Sequence, residues 1–143
     1  MNYQSHNESE TIEFAAGFAA TLKPGDVVAV SGDLGAGKSV FCRAVLRALG
    51  VTDEALPSPT FAIIQEYDAD HCRVAHMDWY RLDDAAEIDM LGVRDFFISP
   101  WVCLIEWPER ADEVLPETTI RVQIQCDNDH MAWRWIEVQR FAK

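Results

Sequence analysis

Apolar side chains recur with a helical period in two parts of the amino-terminal half of the chain. The first part is residues 9–22, where Ser9 or Asn7 is placed to cap a helix. The second part is residues 40–49, which are followed by Gly50, a residue that favours helix C-termini. The apolar positions of the first part are Ile12, Ala15, Ala16, Ala19 and Leu22. The pattern predicts two helices, with a short polar segment before the first.

Shorter apolar runs predict the strands. Residues 26–30 are rich in valine and follow a turn that contains proline and glycine. Residues 101–105 are apolar at every position, which is typical of a strand buried on both faces. Residues 61–67 and 72–76 flank a short polar turn and predict a hairpin.

The carboxy-terminal part of the chain alternates between apolar and polar residues on either side of a turn at residues 126–129. The alternating apolar positions are Ile120, Val122, Ile124, Met131, Trp133 and Trp135. An acidic helix is predicted over residues 83–90 and a short one over residues 95–98. These elements predict an α/β fold in which helices pack on a mixed parallel and antiparallel sheet with a C-terminal β-hairpin.

One segment between the first predicted strand and the second helix carries chemistry. Residues Gly32–Ser39 match the pattern G-x-x-x-x-G-K-[ST], in which backbone N–H groups surround a phosphate chain and glycines allow its close approach. Lys38 reaches the β- and γ-phosphates, and the hydroxyl of Ser39 ligates Mg²⁺. We therefore predict a single P-loop NTPase-like domain over residues 1–143 that binds a nucleoside triphosphate with Mg²⁺.

The charge and residue composition of the chain limit the kinds of substrate and partner that it is expected to bind. The chain has 12 basic and 24 acidic residues, a net charge of −12, and no cluster of Lys or Arg. Autonomous nucleic-acid binding needs a basic surface, so any nucleic-acid substrate is expected to be held by a partner. No apolar stretch is long enough to cross a bilayer and the first residues lack the features of a signal peptide, so we expect a cytoplasmic protein without a membrane partner. The four cysteines are scattered without metal-ligand spacing and are expected to be free thiols.

Hydrolysis needs a carboxylate near the phosphate loop, which is the segment Gly32–Ser39, in addition to the loop itself. Glu106 directly follows the apolar run 101–105, and a buried acid at the end of a strand is costly unless it is paired or bound to metal. Glu106 is therefore a candidate to bind Mg²⁺ or position water. Asp78 follows the strand at residues 72–76 and is either a capping residue or a second catalytic acid. Thr60, in a proline-flanked loop, either caps a strand or senses the γ-phosphate.

Four segments in this order resemble the signatures of the bacterial TsaE (YjeE) family. They are Gly32–Ser39, Ser58–Phe61, His76–Leu82 and Leu104–Glu109. The resemblance covers essentially the whole chain. It implies a P-loop ATPase of the tRNA threonylcarbamoyladenosine (t6A) pathway that associates with the TsaB and TsaD proteins. TsaD, not this chain, is then expected to modify the adenosine next to the anticodon of tRNAs that read codons starting with A, so that tRNA is met only through the partner complex.

The resemblance also implies roles for individual residues. Residues implied to bind ATP are Thr11, Gly35, Ala36, Gly37, Lys38, Ser39, Val40 and Arg134. Ser39 and Glu106 are implied to bind Mg²⁺, while Lys38 holds the phosphates. Asp78 is implied to be the acid critical to hydrolysis, and Thr60 to belong to a nucleotide-responsive loop. Ser39 and Val40 stand where the family commonly has two threonines; serine keeps the Mg²⁺-ligating hydroxyl, and valine loses an auxiliary contact.

A small nucleotide or metabolite kinase and a nucleotide-dependent binding module stay open as alternatives at this point. A small nucleotide or metabolite kinase is disfavoured because no R-x-x-x-R lid segment follows the central strands. A GTPase is disfavoured because the chain has no N-K-x-D tetrapeptide. A nucleotide-dependent binding module with negligible turnover is not separable from an ATPase by sequence, since the charge of the transferring phosphoryl group is often stabilised by an arginine supplied in trans.

Overall fold

Seven strands of the computed structural model form one sheet, and the structure describes residues 1–33, 35–53, 56 and 64–140. The strands are β1 (Asn2–Ser5), β2 (Val27–Ser31), β3 (Ile64–Asp68), β4 (Arg73–Asp78), β5 (Trp101–Glu106), β6 (Ile120–Cys126) and β7 (Arg134–Gln139). Their order across the sheet is β1-β7-β6-β2-β5-β4-β3. The described α-helices are α1 (Glu8–Ala19), α2 (Lys38–Leu49) and α3 (Ala85–Met90), and short 3-10 helices lie at Val93–Phe96, Pro108–Arg110 and Asp112–Val114.

The centre of the sheet is parallel and its edges are antiparallel. Strand β2 pairs in parallel with β5 and β6, and β4 pairs in parallel with β5. The pairs β3–β4, β6–β7 and β1–β7 are antiparallel. This arrangement confirms the predicted mixed sheet and the C-terminal β-hairpin. Because parallel strands end at the same edge, Glu106 lies opposite both Val30 and Asp78 where the phosphate loop leaves β2.

Helices cover both faces of the sheet. On one face, side chains of α1 and α2 such as Phe18 and Phe41 pack with Val28 and Leu104 of the central strands. On the other face, Ile88 of α3 belongs to a second buried cluster with Cys103 and Ile105. Neighbouring residues of β5 therefore enter different clusters. Burial on both faces explains why residues 101–105 are apolar throughout.

The first strand was not expected from the sequence. Residues 2–5 are polar, yet they form β1 and pair antiparallel with β7 at the edge of the sheet. Tyr3 stacks on Phe14 of α1, with ring centroids 4.7 Å apart. An edge strand needs only one apolar contact face and backbone pairing, so its sequence carries little periodic signal.

Helix α1 presents a different face to the core from the one predicted. Its buried residues are Thr11, Ala15, Phe18 and Ala19. Ile12 is 42% exposed and Ala16 is exposed, although both were expected in the core. The buried stripe keeps helical spacing but is centred on the bulky Phe18, which packs against Phe41 at 5.7 Å between ring centroids. The cap is Asn7, whose side chain accepts the N–H of Glu10 at 2.9 Å.

The last strand begins later than the alternation of Met131, Trp133 and Trp135 predicted. Met131 is 92% exposed, and β7 starts at Arg134 with Ile136 and Val138 buried. The carboxylate of Asp127 orders the long turn before β7, since it accepts the Trp135 indole N–H at 3.0 Å and two backbone N–H groups. These donors, the Trp135 indole first, lower the pKa of Asp127 to about 2.

The remaining predicted elements are found with shifted ends. Helix α3 begins after Asp84, whose side chain accepts the N–H of Glu87 at 2.9 Å. The short helix predicted over residues 95–98 is the 3-10 helix Val93–Phe96. Strand β3 covers residues 64–68, and the rest of the predicted strand, residues 61–63, lies outside the described part of the chain. No helix among the described residues is long and apolar enough to cross a membrane.

Candidate functional site

The phosphate loop connects β2 to α2 at the carboxyl edge of the sheet. Gly35 and Gly37 have φ angles of +81° and +100°, a region that glycine enters without steric cost. A Cβ at Gly32 would collide with the backbone carbonyl of Ile124 on β6. The glycine spacing is therefore required by the path of the backbone between the helix and the sheet. Helix α2 begins at Lys38, so its positive end faces the loop.

The ammonium group of Lys38 lies inside this loop. The side chain is 6% exposed, and Nζ donates to the carbonyl of Gly32 and, at 3.0 Å, to that of Asp33. Nζ also lies 4.3 Å from the ring centroid of Trp107, over its face. Trp107 follows β5 with a φ of +59°, which is strained for a bulky side chain. Carbonyl oxygens and an aromatic face thus hold the charge of Lys38 at the point where phosphate is expected.

Both predicted carboxylates lie beside the loop. Glu106 is 3% exposed, and its Oε1 accepts the hydroxyl of Ser39 at 3.4 Å. Asp78 is 7% exposed, and its Oδ1 accepts the backbone N–H of Tyr80 at 2.8 Å. The capping contact that the sequence allowed for Asp78 is therefore present. It does not remove this residue from the site, because Asp78 lines the same cleft as Lys38, Ser39 and Glu106.

The contact of His76 with Glu106 was not predicted from the sequence. Its Nε2 lies 2.7 Å from Oε2 of Glu106, and both side chains are almost fully buried. The spacing of His76 and Asp78 could have indicated that both belong to the site, because residues two apart on a strand point to the same face of the sheet. Since Glu106 lies opposite Asp78 on the neighbouring strand, that face brings His76 and both carboxylates together.

Two adjoining clefts surround the loop. One, of about 380 Å³, is lined by Asp33, Gly35, Gly37, Lys38, Ser39, Val40, Asp78, Glu106, Trp107 and Arg134. The other, of about 230 Å³, is lined by Asn7, Glu8, Thr11, Ala36, Gly37, Val40, Ala132 and Arg134. The clefts share Gly37, Val40 and Arg134. Together they are lined by every described residue that the resemblance implies in binding ATP or Mg²⁺ or in hydrolysis. Thr60 lies outside the described residues, as does Leu34 of the phosphate loop.

Thr11 and Arg134 are held by neighbouring polar groups. The hydroxyl of Thr11 lies 2.6 Å from the hydroxyl of Ser5, a contact that ties α1 to β1. The guanidinium of Arg134 donates to the carbonyl of Ala36 at 2.9 Å through Nε, and to that of Trp133 at 2.9 Å through Nη1. Arg134 therefore fixes the outer side of the phosphate loop to the start of β7.

The donor set fits a magnesium ion. Ser39, Asp78 and Glu106 offer a hydroxyl and two carboxylates at one cleft, and Mg²⁺ prefers such hard oxygen ligands together with phosphate oxygens and water. The loop N–H groups, the helix terminus and Lys38 fit the phosphate chain itself.

The comparisons with known proteins all point to one family. Residues 5–135 match the family model described as TsaE, threonylcarbamoyl adenosine biosynthesis protein TsaE. The chain is 40% identical over 124 residues to the tRNA threonylcarbamoyladenosine biosynthesis protein TsaE of Rickettsia bellii, covering 87% of this chain and 85% of that protein. It is 39% identical over 129 residues to the protein of that name from Bacillus subtilis, covering 90% of this chain and 80% of the relative. The crystal structure of Bacillus subtilis YdiB superposes with a TM-score of 0.83 at 33% identity, covering 99% of this chain and 86% of the other.

Proposed function

This chain belongs to the TsaE family, and on that premise we propose that it binds and hydrolyses ATP in support of t6A formation in tRNA. Its relatives are named for threonylcarbamoyladenosine biosynthesis, which supports the pathway. One observation supports the activity most strongly. Lys38, Ser39, Asp78 and Glu106 line one cleft at the N-terminus of α2, which is the set of groups that phosphoryl transfer requires.

We assign the triphosphate to the loop and the nucleoside to the smaller cleft. The phosphates follow residues 35–40, where backbone N–H groups and the start of α2 attract anions. Lys38 exchanges its contacts with loop carbonyls for contacts with phosphate oxygens. The nucleoside extends toward Thr11 and Arg134, because the smaller cleft continues from the shared wall at Gly37 and Val40.

The two carboxylates have different roles in the proposed hydrolysis. Asp78 orients the water that attacks the γ-phosphate. The water oxygen forms the new bond to phosphorus while the bond to the leaving ADP oxygen breaks, and a proton of the water goes to the phosphate product. Ser39 and Glu106 hold Mg²⁺, which when bound neutralises charge on the phosphate oxygens. His76 holds Glu106 through Oε2 and leaves Oε1 directed toward Ser39. Hydrolysis by the chain alone is expected to be slow, because Arg134 is engaged with backbone carbonyls.

The partners in this proposal are TsaB and TsaD. A net charge of −12 opposes direct tRNA binding, so tRNA is held by the partner complex and this chain drives its cycle in the cytoplasm. The test is reconstitution of t6A formation with purified TsaB, TsaD, tRNA and a donor of the threonylcarbamoyl group. Wild-type chain with Mg·ATP should sustain many rounds of product, whereas Lys38→Ala should not. Equal product with either protein would contradict the proposal, and phosphate transfer to a metabolite would favour a kinase.

A further inference from the structure

Three buried side chains meet beneath the phosphate loop. Cys42 lies on α2 one turn after Ser39, His76 on β4 and Glu106 at the end of β5. A ligand atom from each of Cys42, His76 and Glu106 lies within 4.8 Å of the other two. All three residues are buried, with exposed fractions of 0%, 1% and 3%. The cysteines were expected to be unrelated to metal binding, because their spacing along the chain gives no ligand pattern.

The donors of this cluster differ from those of the magnesium site. A thiolate sulfur, an imidazole nitrogen and a carboxylate oxygen are all ligands that zinc uses in proteins, and an open zinc site has three protein ligands with a fourth position for water. Thiolate and imidazole ligands select soft or borderline cations, whereas Mg²⁺ prefers oxygen. The imidazole of His76 can also form one more hydrogen bond, because its buried Nδ1 atom has no hydrogen-bond partner among the described residues.

The cluster also has a route to solvent. Glu106 lines the open cleft under the loop, together with Ser39 at the start of α2. A cation that reaches Glu106 from this cleft has His76 at 2.7 Å from the far carboxylate oxygen and Cys42 within 4.8 Å. Small rotations of the three side chains bring their ligand atoms to the separations of a tetrahedral ion.

We propose that Cys42, His76 and Glu106 form a binding site for a thiophilic divalent cation of the Zn²⁺ class, separate in chemistry from the Mg²⁺ site but sharing Glu106. Coordination displaces the thiol proton of Cys42 to solvent. Since Glu106 cannot serve both cations in one geometry, an ion in this site competes with productive use of Mg²⁺. The competition, but not the binding site, rests on the proposed ATPase function.

The first experiment titrates the full chain with Co²⁺ alone, without nucleotide, as an optical substitute for Zn²⁺. The wild type should bind one equivalent and show a sulfur-to-cobalt charge-transfer band. Cys42→Ala should lose the band and bind Zn²⁺ at least about tenfold more weakly in competition with a chromophoric chelator. Cys103→Ala is the matched control, because Cys103 is equally buried but belongs to the cluster on the opposite face of the sheet. Cys126→Ala controls for an exposed thiol.

Three results of the Co²⁺ titration would overturn the proposed site: absence of the charge-transfer band in the wild type, persistence of the band in Cys42→Ala, or loss of the band in Cys126→Ala. Zinc-edge X-ray absorption of the wild type gives an answer even where a variant fails to fold: one sulfur with nitrogen and oxygen neighbours supports the site, and nitrogen and oxygen alone contradict it. Inhibition of Mg·ATP hydrolysis by Zn²⁺, relative to each protein's own metal-free rate, should be weaker in Cys42→Ala. Because Co²⁺ binding is read without ATP, its failure leaves the proposed function intact.

Discussion

The contact between His76 and Glu106 allows a quantitative test of how the site is built. Glu106 is 3% exposed and reaches the imidazole at 2.7 Å. Replacing His76 by leucine leaves a buried carboxylate without its closest partner. Replacing Glu106 by leucine leaves an imidazole in which neither nitrogen has a partner among the described residues, since Nδ1 already lacks one. Replacing both removes the two polar groups together.

The polar groups left unpaired in each variant set the expected loss in free energy of unfolding relative to wild type. Loss of one member of a buried pair costs about 3 kcal/mol when the group left behind is a carboxylate. Loss of the carboxylate costs about 2 kcal/mol, the penalty of an unsatisfied neutral polar group. The double variant should lie within about 1 kcal/mol of wild type, because apolar residues of similar volume replace buried ion pairs without large loss. His76→Leu alone should lower the melting temperature by roughly 10 °C in a chain of 143 residues.

The assay is urea-induced unfolding of all four proteins, followed by tryptophan fluorescence, with EDTA present and nucleotide absent. The double-mutant cycle should give a coupling free energy of about 4–6 kcal/mol between the two side chains, because the double variant should cost far less than the two single variants together. Costs that add to within about 0.5 kcal/mol would refute the reasoning, because independent sites behave in that way.

Three further predictions concern ligand binding, catalysis and pH. Lys38→Ala should lose the rise in melting temperature that Mg·ATP gives the wild type in a thermal-shift titration, and Lys23→Ala, at an exposed lysine, should keep it. Asp78→Asn and Glu106→Gln should each lower kcat for ATP hydrolysis by about 10²-fold or more with unchanged circular dichroism, and near-wild-type rates in both would show that the carboxylates are misassigned. The lowered pKa of Asp127 stabilises the fold above its ordinary pKa of 3.8, and this stability is lost as pH falls toward about 2. Asp127→Asn should remove that loss from urea midpoints measured against pH, and an unchanged acid limb would contradict the assignment.

The central strands and the position of the phosphate loop were predictable because their signals are local. The uninterrupted apolar run at residues 101–105 can be buried on both faces only in the middle of a sheet, which is where β5 lies. The glycine pattern of residues 32–39 is set by backbone conformation, as the positive φ angles at Gly35 and Gly37 show. Parallel pairing of β2 and β5 then brings the strand-end acid Glu106 beside the loop, because parallel strands end at the same edge of the sheet.

Features that depend on contacts between distant segments were not predictable. Strand β1 is polar, and its place is set by pairing with β7, which lies at the other end of the chain. The face of α1 that is buried depends on how Phe18 meets Phe41 of α2, and periodicity alone did not distinguish this face from one centred on Ile12. The approach of Cys42 to His76 depends on how α2 packs on the sheet, which no spacing along the chain records.

Phosphate release from Mg·ATP tests the central claim most directly. Wild-type chain and Lys38→Ala are each measured alone and with purified TsaB and TsaD, with and without Mg²⁺. We predict slow, Mg²⁺-dependent release by the wild type that the partners accelerate, and no release above background by Lys38→Ala. Absence of release from the wild type in every condition, or equal release from both proteins, would contradict the account of this cleft as an ATPase site.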